Sequence, residues 1–290
     1  MDEQAALALV AEAVPGTGDD AAIIDDLVVT TDMLHETTDF PPGTTRYTAG
    51  WRAVGASLSD IAAMGATATA AVAVYAAPSF DEATLSAFLD GATAVCGTVD
   101  AAYVGGDLDT HQEFTVATTA IGETTAPVSR AGATPGDKLC VTGSLGRSAA
   151  AVRFFETDPE QANDLFRFTP RVEAGVALAD YATAMMDSSD GLARSVHQLC
   201  AASDCGVAID SDRVPVTPAL HTVLEDDVIN EALTFGEDFE LVAAVPHDAV
   251  EPAREAVPDL SVVGEFVADG ITIDGTPLPD TGYTHGRSDS

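Results

Sequence analysis

Hydrophobic positions in the first 126 residues recur at helix and strand spacings, which predicts a mixed α/β segment. An apolar run ending in Thr30-Thr31-Asp32 is typical of a strand, and small and apolar residues at spacings of three and four before Gly65 are typical of a helix. The predicted elements are a strand over 21–32, a helix over 44–64, a strand over 70–75, a helix over 81–97 that begins at a Ser79 cap signal, and strands over 101–105 and 113–122.

The segment 127–136 (PVSRAGATPG) is rich in turn residues and predicts a boundary between two domains, 1–126 and 137–290. Beyond it the pattern predicts a strand over 138–142, a helix over 147–155, a helical segment over 171–184, a strand-to-helix turn at MMDSSDGL (185–192), a helix over 192–203, a strand over 206–210, and apolar segments over 233–245 and 260–267. Both halves therefore belong to the α/β class, of mixed α+β type.

The chain carries 47 acidic residues against 12 basic ones, a formal net charge of −35, and Lys138 is its only lysine. Such a charge repels nucleic acids and anionic membranes, so neither is expected as a partner. It also destabilises the compact state unless salt screens it, and at 1 M salt the Debye length is only about 3 Å. We therefore predict a halophilic protein, and the lack of a signal-peptide pattern predicts a cytoplasmic one.

Several familiar motifs are excluded by the residues present. The uncharged segment 61–80 is broken by Gly65 and Pro78, which favours a buried helix end and strand over a membrane span. Lys138 does not follow a glycine-rich loop, and no full G-x-G-x-x-G occurs, so the two common nucleotide-binding loops are absent. The four cysteines form no C-x-x-C pair and are expected to be buried free thiols.

What remains is a set of acidic residues beside glycine where apolar strands end. Each alone is most simply a cap or turn residue, because aspartate and glycine are common there. Together they need a countercharge that the chain lacks, and Mg²⁺ shared between carboxylates and phosphates supplies one. The sequence therefore predicts a phosphate-handling site built from these acids: Asp19, Asp20, Asp32, Asp60, Asp107, Asp187, Asp190, Glu237 and Asp238.

These motifs resemble the thiamine-monophosphate kinase family, of the fold superfamily of aminoimidazole ribonucleotide synthetase and selenophosphate synthetase. The matching blocks occur in order over nearly the whole chain: GDDAAII (18–24), TTDML (30–34), SLSDIAAMGA (57–66), GGD (105–107), SRAGATPGDKLCVTG (129–143), DSSDGL (187–192), ASDCGVAID (202–210) and GEDFEL (236–241). The resemblance implies ATP-dependent phosphorylation of thiamine monophosphate to thiamine diphosphate with several Mg²⁺ ions. It also implies a homodimer whose N-terminal halves contribute strands to a shared barrel.

The resemblance also implies roles for individual residues. The implied metal ligands are Asp20, Thr30, Thr31, Asp32, Asp60, Asp107, Asp187 and Asp190, the implied ATP contacts are Gly106, Asp107, Arg130 and Ser189, and the implied substrate contacts are Asp39, Glu237 and Asp280. Two of these depart from the family pattern, since Asp39 stands where a histidine is usual and Asp280 where an aromatic residue is expected. Tyr283 is the nearest aromatic residue to the second position.

Two alternatives stay open at this point. One is another ATP-dependent enzyme of the same fold that activates a different small acceptor. Selenophosphate synthesis is disfavoured by the GEDFEL block and by the lack of a reactive cysteine near the N-terminus. The other is a non-catalytic, cation-binding acidic protein, although salt adaptation alone would scatter acids over exposed faces rather than place them beside glycine at strand ends.

Overall fold

The computed structural model describes residues 9–10, 13–14 and 16–282. The strands are β1 (Ala22–Ile24), β2 (Leu27–His35), β3 (Thr67–Ala77), β4 (Ala102–Thr110), β5 (Thr115–Glu123), β6 (Lys138–Val141), β7 (Ala184–Asp187), β8 (Gly206–Ile209), β9 (Leu241–Val245), β10 (Ser261–Val267), β11 (Ile271–Ile273) and β12 (Thr276–Pro277). The helices are α1 (Glu36–Asp39), α2 (Arg46–Ala63), α3 (Glu82–Gly97), α4 (Arg147–Phe154), α5 (Pro159–Phe166), α6 (Val172–Leu178), α7 (Leu192–Ser203), α8 (Pro218–Val223), α9 (Val228–Thr234) and α10 (Val250–Ala256), with short 3₁₀ turns at Ser211–Arg213 and His247–Ala249.

The N-terminal half forms a five-stranded sheet in the order β1-β2-β5-β3-β4. Only β3 and β4 are parallel among these pairs. The prediction of a single strand over 21–32 was wrong, because the chain turns between β1 and β2 and pairs them as a hairpin. Asp25 in that turn has φ +54°, a left-handed conformation that aspartate tolerates better than most residues.

Helix α2 covers the inner face of this sheet and crosses α3 at very short range. Thr45 caps its N-terminus by accepting from the Thr48 amide. At the crossing, a side chain on Gly50 would collide with the Phe88 carbonyl, and one on Gly91 with the Tyr47 carbonyl. Helix α3 begins at Asp81, whose carboxylate accepts from the Thr84 amide, rather than at the predicted Ser79 signal.

The opposite face of the five-stranded sheet has no helix over it among the described residues. Apolar side chains are exposed on this face of the strands: Leu27 (40%), Met33 (57%), Val74 (41%) and Val104 (63%). Strand β4 forms one edge of the sheet and β1 the other. We call this surface, with its two edges, the open face.

The C-terminal half forms a seven-stranded sheet in the order β12-β11-β8-β10-β6-β9-β7. Alternate residues of β6, β7 and β9 face different cores: Cys140, Met185 and Ala243 join the core of the N-terminal half, and Leu139, Met186 and Val242 join a second core. Strands β6, β7 and β9 of the C-terminal half therefore pack directly against the core of the N-terminal half.

One further prediction in this half was wrong. The helix expected over 171–184 ends at Leu178, since β7 begins at Ala184 and needs a turn before it. The apolar segment 233–245 is the end of α9 followed by a loop at 236–240 and then β9, because Glu237 and Phe239 take positive φ (+61° and +55°).

Two other sequence observations can be located in the structure. The cysteines are free, with Cys96, Cys140 and Cys200 buried and Cys205 half-buried. No helix formed by the described residues is both long and apolar enough to cross a lipid bilayer.

Candidate active site

Three carboxylates from distant parts of the chain meet where the two halves join. Asp20 precedes β1, Asp60 lies near the end of α2, and Asp187 ends β7. One carboxylate oxygen of each lies within 4.8 Å of the others. The side chains of Asp20 and Asp187 are almost fully buried. We call these residues, together with the neighbouring Asp32, the acidic centre.

Buried hydroxyl groups hold the acids in place. Thr30 Oγ1 donates to Asp60 Oδ2 at 2.6 Å, Ser57 Oγ to Asp32 Oδ2 at 2.5 Å, and Ser59 Oγ to Asp187 Oδ2 at 2.7 Å. A neutral hydroxyl donor stabilises a carboxylate and adds no positive charge. The hydroxyl groups therefore fix the geometry of the acidic centre without adding a countercharge.

Strand alternation explains which threonine reaches the acids. Thr30 and Asp32 lie on the face of β2 that packs on α2, and Thr31 points to the other face. There Thr31 Oγ1 donates to the Thr118 carbonyl at 2.8 Å. The structure thus brings the predicted ligands Thr30 and Asp32 to the centre and does not bring the Thr31 hydroxyl.

The turn after β7 folds back on its own aspartate. The amide and the hydroxyl of Ser189 both donate to Asp187 Oδ1, at 3.1 and 2.8 Å. Gly191 follows with φ +95°, and a Cβ there would lie 2.8 Å from the Leu233 carbonyl. Only glycine fits this combination of conformation and close approach, so the turn can lead directly into α7.

Two acids of the centre, Asp60 and Asp187, have raised pKa values. Burial raises the pKa of Asp187 to about 7, the charge of Asp20 adds to the effect, and the hydroxyls of Ser59 and Ser189 oppose it. Burial also raises the pKa of Asp60 well above its usual value, with further contributions from Asp32, Asp187 and Asp20. This pattern indicates carboxylates that repel one another in a poorly solvated site.

One arginine lies against the centre. Arg130 Nε and Nη2 donate to the two oxygens of Asp20 at 3.1 and 2.8 Å, and its amide donates to Asp19 at 2.7 Å. Burial alone would lower the pKa of Arg130, but the charge of Asp20 and the paired hydrogen bonds raise it overall. Arg130 is therefore held as a cation by Asp20.

A second buried group of charges lies beside the first, around the loop at 236–240. We call it the arginine network, and it contains Arg52, Arg147, Arg171, Glu237, Asp238 and Glu240. Arg171 pairs with both oxygens of Glu240, at 2.6 and 2.7 Å. Arg52 Nη2 donates to Glu237 Oε2 in a short contact.

Asp238 joins the arginine network to helix α4. Its carboxylate accepts from the Gly146 amide and, at 2.8 Å, from the Ser148 amide, and so caps the first turn of the helix. Burial raises the pKa of Asp238 to about 6, against the lowering effects of Arg147 and of the two amides. Burial in turn lowers the pKa of Arg147 to about 10.

Main-chain hydrogen bonds connect the two clusters. Ser188 donates through its amide to the Glu240 carbonyl at 2.8 Å, and its hydroxyl accepts from the Glu240 amide at 3.0 Å. The Glu237 amide donates to the Ser189 carbonyl at 2.6 Å. The predicted substrate contact Glu237 therefore lies directly beside the turn that carries Asp187.

The other predicted residues lie outside the acidic cluster. Asp107 is exposed on β4, where its carboxylate accepts from the adjacent Leu108 amide at 2.9 Å, and Gly106 is exposed next to it. Asp190 is half-buried in the turn after β7, one residue beyond Ser189. Its position keeps it beside the acidic centre without making it part of the group of three.

The two unusual substrate positions are both engaged within the chain. Asp39 Oδ2 accepts from the His35 amide at 2.6 Å and from the Thr38 hydroxyl at 2.8 Å, at the end of α1. Asp280 pairs with Arg194 on α7 at 2.5 Å. Tyr283 lies outside the described residues.

The structure also reveals site residues that the sequence did not indicate. Ser57 and Ser59 were visible only as part of the motif before Asp60, and Arg52 lies at a position that reads as the apolar face of a helix. One signal could have identified Arg52: it is a long charged residue within a helix of small and apolar residues, and a fully buried arginine requires an acidic partner.

The donor set of the acidic centre fits a hard divalent cation. Carboxylate and hydroxyl oxygens are the ligands that Mg²⁺ prefers, and two or more such carboxylates commonly hold it together with phosphate oxygens. The raised pKa values of Asp60 and Asp187 are expected where acids face one another without sufficient countercharge. Asp20, Asp60 and Asp187 would hold the ion, with Asp32 beside them.

Comparison with known proteins gives a consistent match. The family model for AIR synthase related protein, N-terminal domain, matches residues 18–124, and that for the C-terminal domain matches residues 134–274. A thiamine-monophosphate kinase of Halobacterium salinarum is 63% identical over 98% of this chain and 100% of its own length. A thiamine-monophosphate kinase structure from Stenotrophomonas maltophilia is 31% identical, with TM-score 0.81 over 91% of this chain and 92% of that one. The complex of AaThiL with AMPPCP and TMP is 26% identical, with TM-score 0.90 over 98% and 97%.

Proposed function

The chain belongs to the thiamine-monophosphate kinase family of AIR synthase related proteins, and we propose that the acidic centre is where it binds Mg²⁺ and the phosphates of ATP. The reaction is the ATP-dependent phosphorylation of thiamine monophosphate to thiamine diphosphate. The observation that carries the site assignment is the convergence of Asp20, Asp60 and Asp187 from three distant segments. Its support from relatives is the AaThiL complex with AMPPCP and TMP.

Both reactants are anionic, so the site must first neutralise charge and align two phosphates. Asp20, Asp60 and Asp187 would hold Mg²⁺, which would supply the positive charge that phosphate oxygens require beside these carboxylates. Arg130 can donate its remaining guanidinium N–H groups to a phosphate while Nε and Nη2 hold Asp20. No general base is needed, because a phosphate monoester is ionised at neutral pH and its oxygen can attack directly.

Glu237 and Ser189 are proposed to act on either side of the turn after β7. Ser189 lies at the acidic centre, where ATP phosphates would bind, and Glu237 lies on the side of the arginine network. We assign residues 1–126 to an ATP-binding and dimerisation domain and 137–290 to a C-terminal α/β domain. The acceptor would then approach between them, beside Glu237, with Asp39 and Asp280 nearby.

The open face is proposed to form a dimer with a second copy of the chain. Exposed apolar side chains on one sheet are unusual in a chain with a net charge of −35, and such patches mark interaction surfaces. The unpaired edges at β1 and β4 can pair with the partner's edges and close a barrel. A homodimer of this kind buries the apolar patch and satisfies both edges.

The dimer accounts for the position of Asp107. Gly106 lies three strands away from Asp32 in the sheet, through the cross-strand pairs Asp32–Thr118, Thr118–Ala73 and Ala73–Gly106. At about 4.8 Å per strand, the two residues are separated by roughly 14 Å. Asp107 on the edge strand is thus far from its own chain's acidic centre. We propose that Gly106 and Asp107 contribute to the centre of the partner subunit.

Mixing two inactive variants tests this arrangement. Asp107→Asn and Asp187→Asn should each abolish turnover as homodimers, and co-refolded mixtures should recover about a quarter of wild-type activity if each site draws on both subunits of a symmetric dimer. Size-exclusion chromatography with light scattering checks that each variant is dimeric. No recovery in mixtures that do exchange subunits would assign Asp107 to its own chain's centre.

The function itself is tested by incubating purified protein with ATP, Mg²⁺ and thiamine monophosphate in high KCl and measuring thiamine diphosphate. Product formation that requires all three components is expected. Absence of product above the blank would reject the function and would favour a different acceptor or a non-catalytic cation-binding protein. Transfer of the γ-phosphoryl group is tested with γ-labelled ATP, whose label must appear in thiamine diphosphate and must not form a labelled enzyme if transfer is direct.

The acidic composition supports a halophilic, cytoplasmic enzyme. The net charge of −35 favours a fold that is stable only when salt screens repulsion. Melting temperature should therefore rise as KCl increases from low to molar concentration. A melting temperature that fell over this range would contradict the salt adaptation and leave the kinase function untouched.

A further inference from the structure

Arg52 is a fully buried arginine that reaches from the N-terminal half into the C-terminal half. It lies on α2, 1% exposed, and its guanidinium stacks on the Phe166 ring at 3.6 Å. Nη1 donates to the Phe166 carbonyl at 2.6 Å, and Nη2 donates to Glu237 Oε2. A guanidinium packed on an aromatic ring and tied to a backbone carbonyl is rigidly placed.

Glu237 is the residue that this placement controls. Nη2 of Arg52 is also 3.4 Å from the Glu237 carbonyl, so the arginine contacts both the backbone and the side chain. Glu237 has φ +61°, a conformation that glutamate rarely adopts and that surrounding contacts must hold. Its amide is held by Ser189 and its carbonyl accepts from Ser148 Oγ at 2.6 Å.

The two oxygens of the Glu237 carboxylate are in different situations. Oε2 is held by Arg52, and among the described residues Oε1 has no hydrogen-bond partner. The side chain is 21% exposed, whereas Arg52 beneath it is 1% exposed. Arg52 therefore fixes one oxygen from the protein interior and leaves the other as an acceptor toward solvent.

We propose that Arg52 is a positioning residue that orients Glu237 Oε1 to receive the cationic, amino-bearing ring system of the acceptor. This role rests on the proposed function, in which Glu237 contacts thiamine monophosphate. Thiamine carries a positively charged thiazolium and an amino group on its pyrimidine, and a carboxylate oxygen is the matching acceptor for both. Arg52 contacts the substrate only through Glu237.

The chain offers a matched control for a merely structural role. Arg147 is a half-buried member of the arginine network and lies 5.7 Å from the Phe168 ring, as Arg52 lies 5.5 Å from it. Arg147 donates to the carbonyls of Leu165 and Asp238 and not to the Glu237 carboxylate. Loss of either arginine removes a cation from the arginine network, but only loss of Arg52 releases the Glu237 carboxylate.

The test compares Arg52→Met, Arg52→Lys, Arg147→Met and Glu237→Gln by steady-state kinetics with both substrates varied, and by thermal unfolding. Arg52→Met should raise the KM for thiamine monophosphate by about tenfold or more with little change in the KM for ATP. Arg52→Lys should recover part of the effect, because a cation remains, although without the planar fork. Adding Arg52→Met to Glu237→Gln should change the KM for thiamine monophosphate little further, since the two act through one contact.

A purely structural Arg52 gives a different result. Arg52→Met and Arg147→Met would then lower the melting temperature alike and leave both KM values near wild type, which overturns the proposal. If Arg52→Met does not fold, the ratio of the two KM values in Arg52→Lys and in Glu237→Gln decides in the same way. A wild-type enzyme without thiamine monophosphate turnover would reject the proposed function, and this role with it.

Discussion

The acidic centre and the arginine network are neighbouring clusters of carboxylates that differ in the groups that stabilise their negative charge. Glu237, Asp238 and Glu240 are each paired with, or lie against, an arginine of the same chain. In the acidic centre Arg130 is committed to Asp20, and the other carboxylates receive neutral hydroxyl donors. The carboxylates of the arginine network are neutralised by arginines of the same chain. Most carboxylates of the acidic centre have no such partner, which is what we expect of a site that binds a metal cation.

The pKa values express the same difference. Burial raises the pKa of Asp187 and of Asp238 alike, to about 7 and about 6. The next contribution differs in sign, since the charge of Asp20 raises the pKa of Asp187 further and the charge of Arg147 lowers that of Asp238. Burial alone does not distinguish a ligand site from a structural ion pair; the sign of the neighbouring charge does.

The largest expected effect follows from removing charge at the acidic centre. Asp187→Asn should reduce kcat on the order of 10³-fold or more, because electrostatic stabilisation of the transferred phosphoryl group is lost. The same change relieves repulsion, so the metal-free variant should unfold at the same or a higher temperature than wild type. Activity assays with Mg²⁺ measure the loss of kcat, and calorimetry without Mg²⁺ measures the unfolding temperature. A variant that loses activity and stability together would indicate that Asp187 is a structural residue.

The pH dependence of stability should give the next largest effect at the acidic centre. Asp60 and Asp187 have folded-state pKa values raised above those of the unfolded chain, so the folded protein binds protons first as the pH falls. Metal-free protein should therefore gain stability, by a few kcal/mol, as the pH falls from about 8 through 7 toward 5, and lose it as the pH rises. Denaturant titrations should show this dependence without Mg²⁺ and a weaker one with saturating Mg²⁺. The same dependence in Asp187→Asn would place its origin outside the acidic centre.

Removing a carboxylate from the arginine network should lower stability and leave Mg²⁺ binding nearly unchanged, the reverse of the expectation for Asp187→Asn. Asp238→Asn leaves Arg147 without its nearby negative charge and weakens the cap on α4, which should cost about 2–4 kcal/mol of unfolding free energy. Mg²⁺ affinity should remain close to wild type, because Asp238 lies outside the acidic centre. Urea denaturation and Mg²⁺ titration of activity measure the two quantities. A large change in Mg²⁺ affinity with unchanged stability would reverse the assignment of the two clusters.

The smallest effect concerns a hydroxyl donor. Ser59→Ala removes the 2.7 Å hydrogen bond to Asp187 and should weaken Mg²⁺ binding by about 1 kcal/mol, or roughly fivefold. Ser148→Ala is the matched control, since Ser148 is equally buried but donates to the Glu237 carbonyl in the arginine network. The Mg²⁺ concentration for half-maximal activity should change only in Ser59→Ala. Equal changes in both variants would contradict a local role for Ser59.

Sequence reasoning reached the acidic centre more reliably than the arginine network. Asp20, Asp60 and Asp187 were identifiable because each follows or precedes a glycine turn or apolar run that keeps a recognisable pattern. Arg52 was not, because pairing with Glu237 across 185 residues depends on how α2 meets the loop at 236–240. The apolar pattern over 233–245 does not indicate this loop, since positive φ at Glu237 and Phe239 is imposed by tertiary contacts.

The fold was predictable at the level of elements and less so at their ends. The α2 and α7 helices carry strong spacing patterns and match the predicted segments within a few residues. The β1–β2 hairpin was missed because its apolar residues run on through the Asp25–Asp26 turn. The open face could be described only after sheet pairing was known, since strand alternation does not say which face a helix will cover.

The close crossing of α2 and α3 fixes the position of the helix that carries residues of both clusters. Arg52 and Asp60 are carried by the same uninterrupted helix, about 12 Å apart along its axis at 1.5 Å per residue. Gly50 and Gly91 clamp that helix against its neighbour with no space for a methyl group. A displacement at this clamp would shift Arg52 and Asp60 together, so the alignment of donor and acceptor depends on helix packing that begins two residues from Arg52 and ten residues from Asp60.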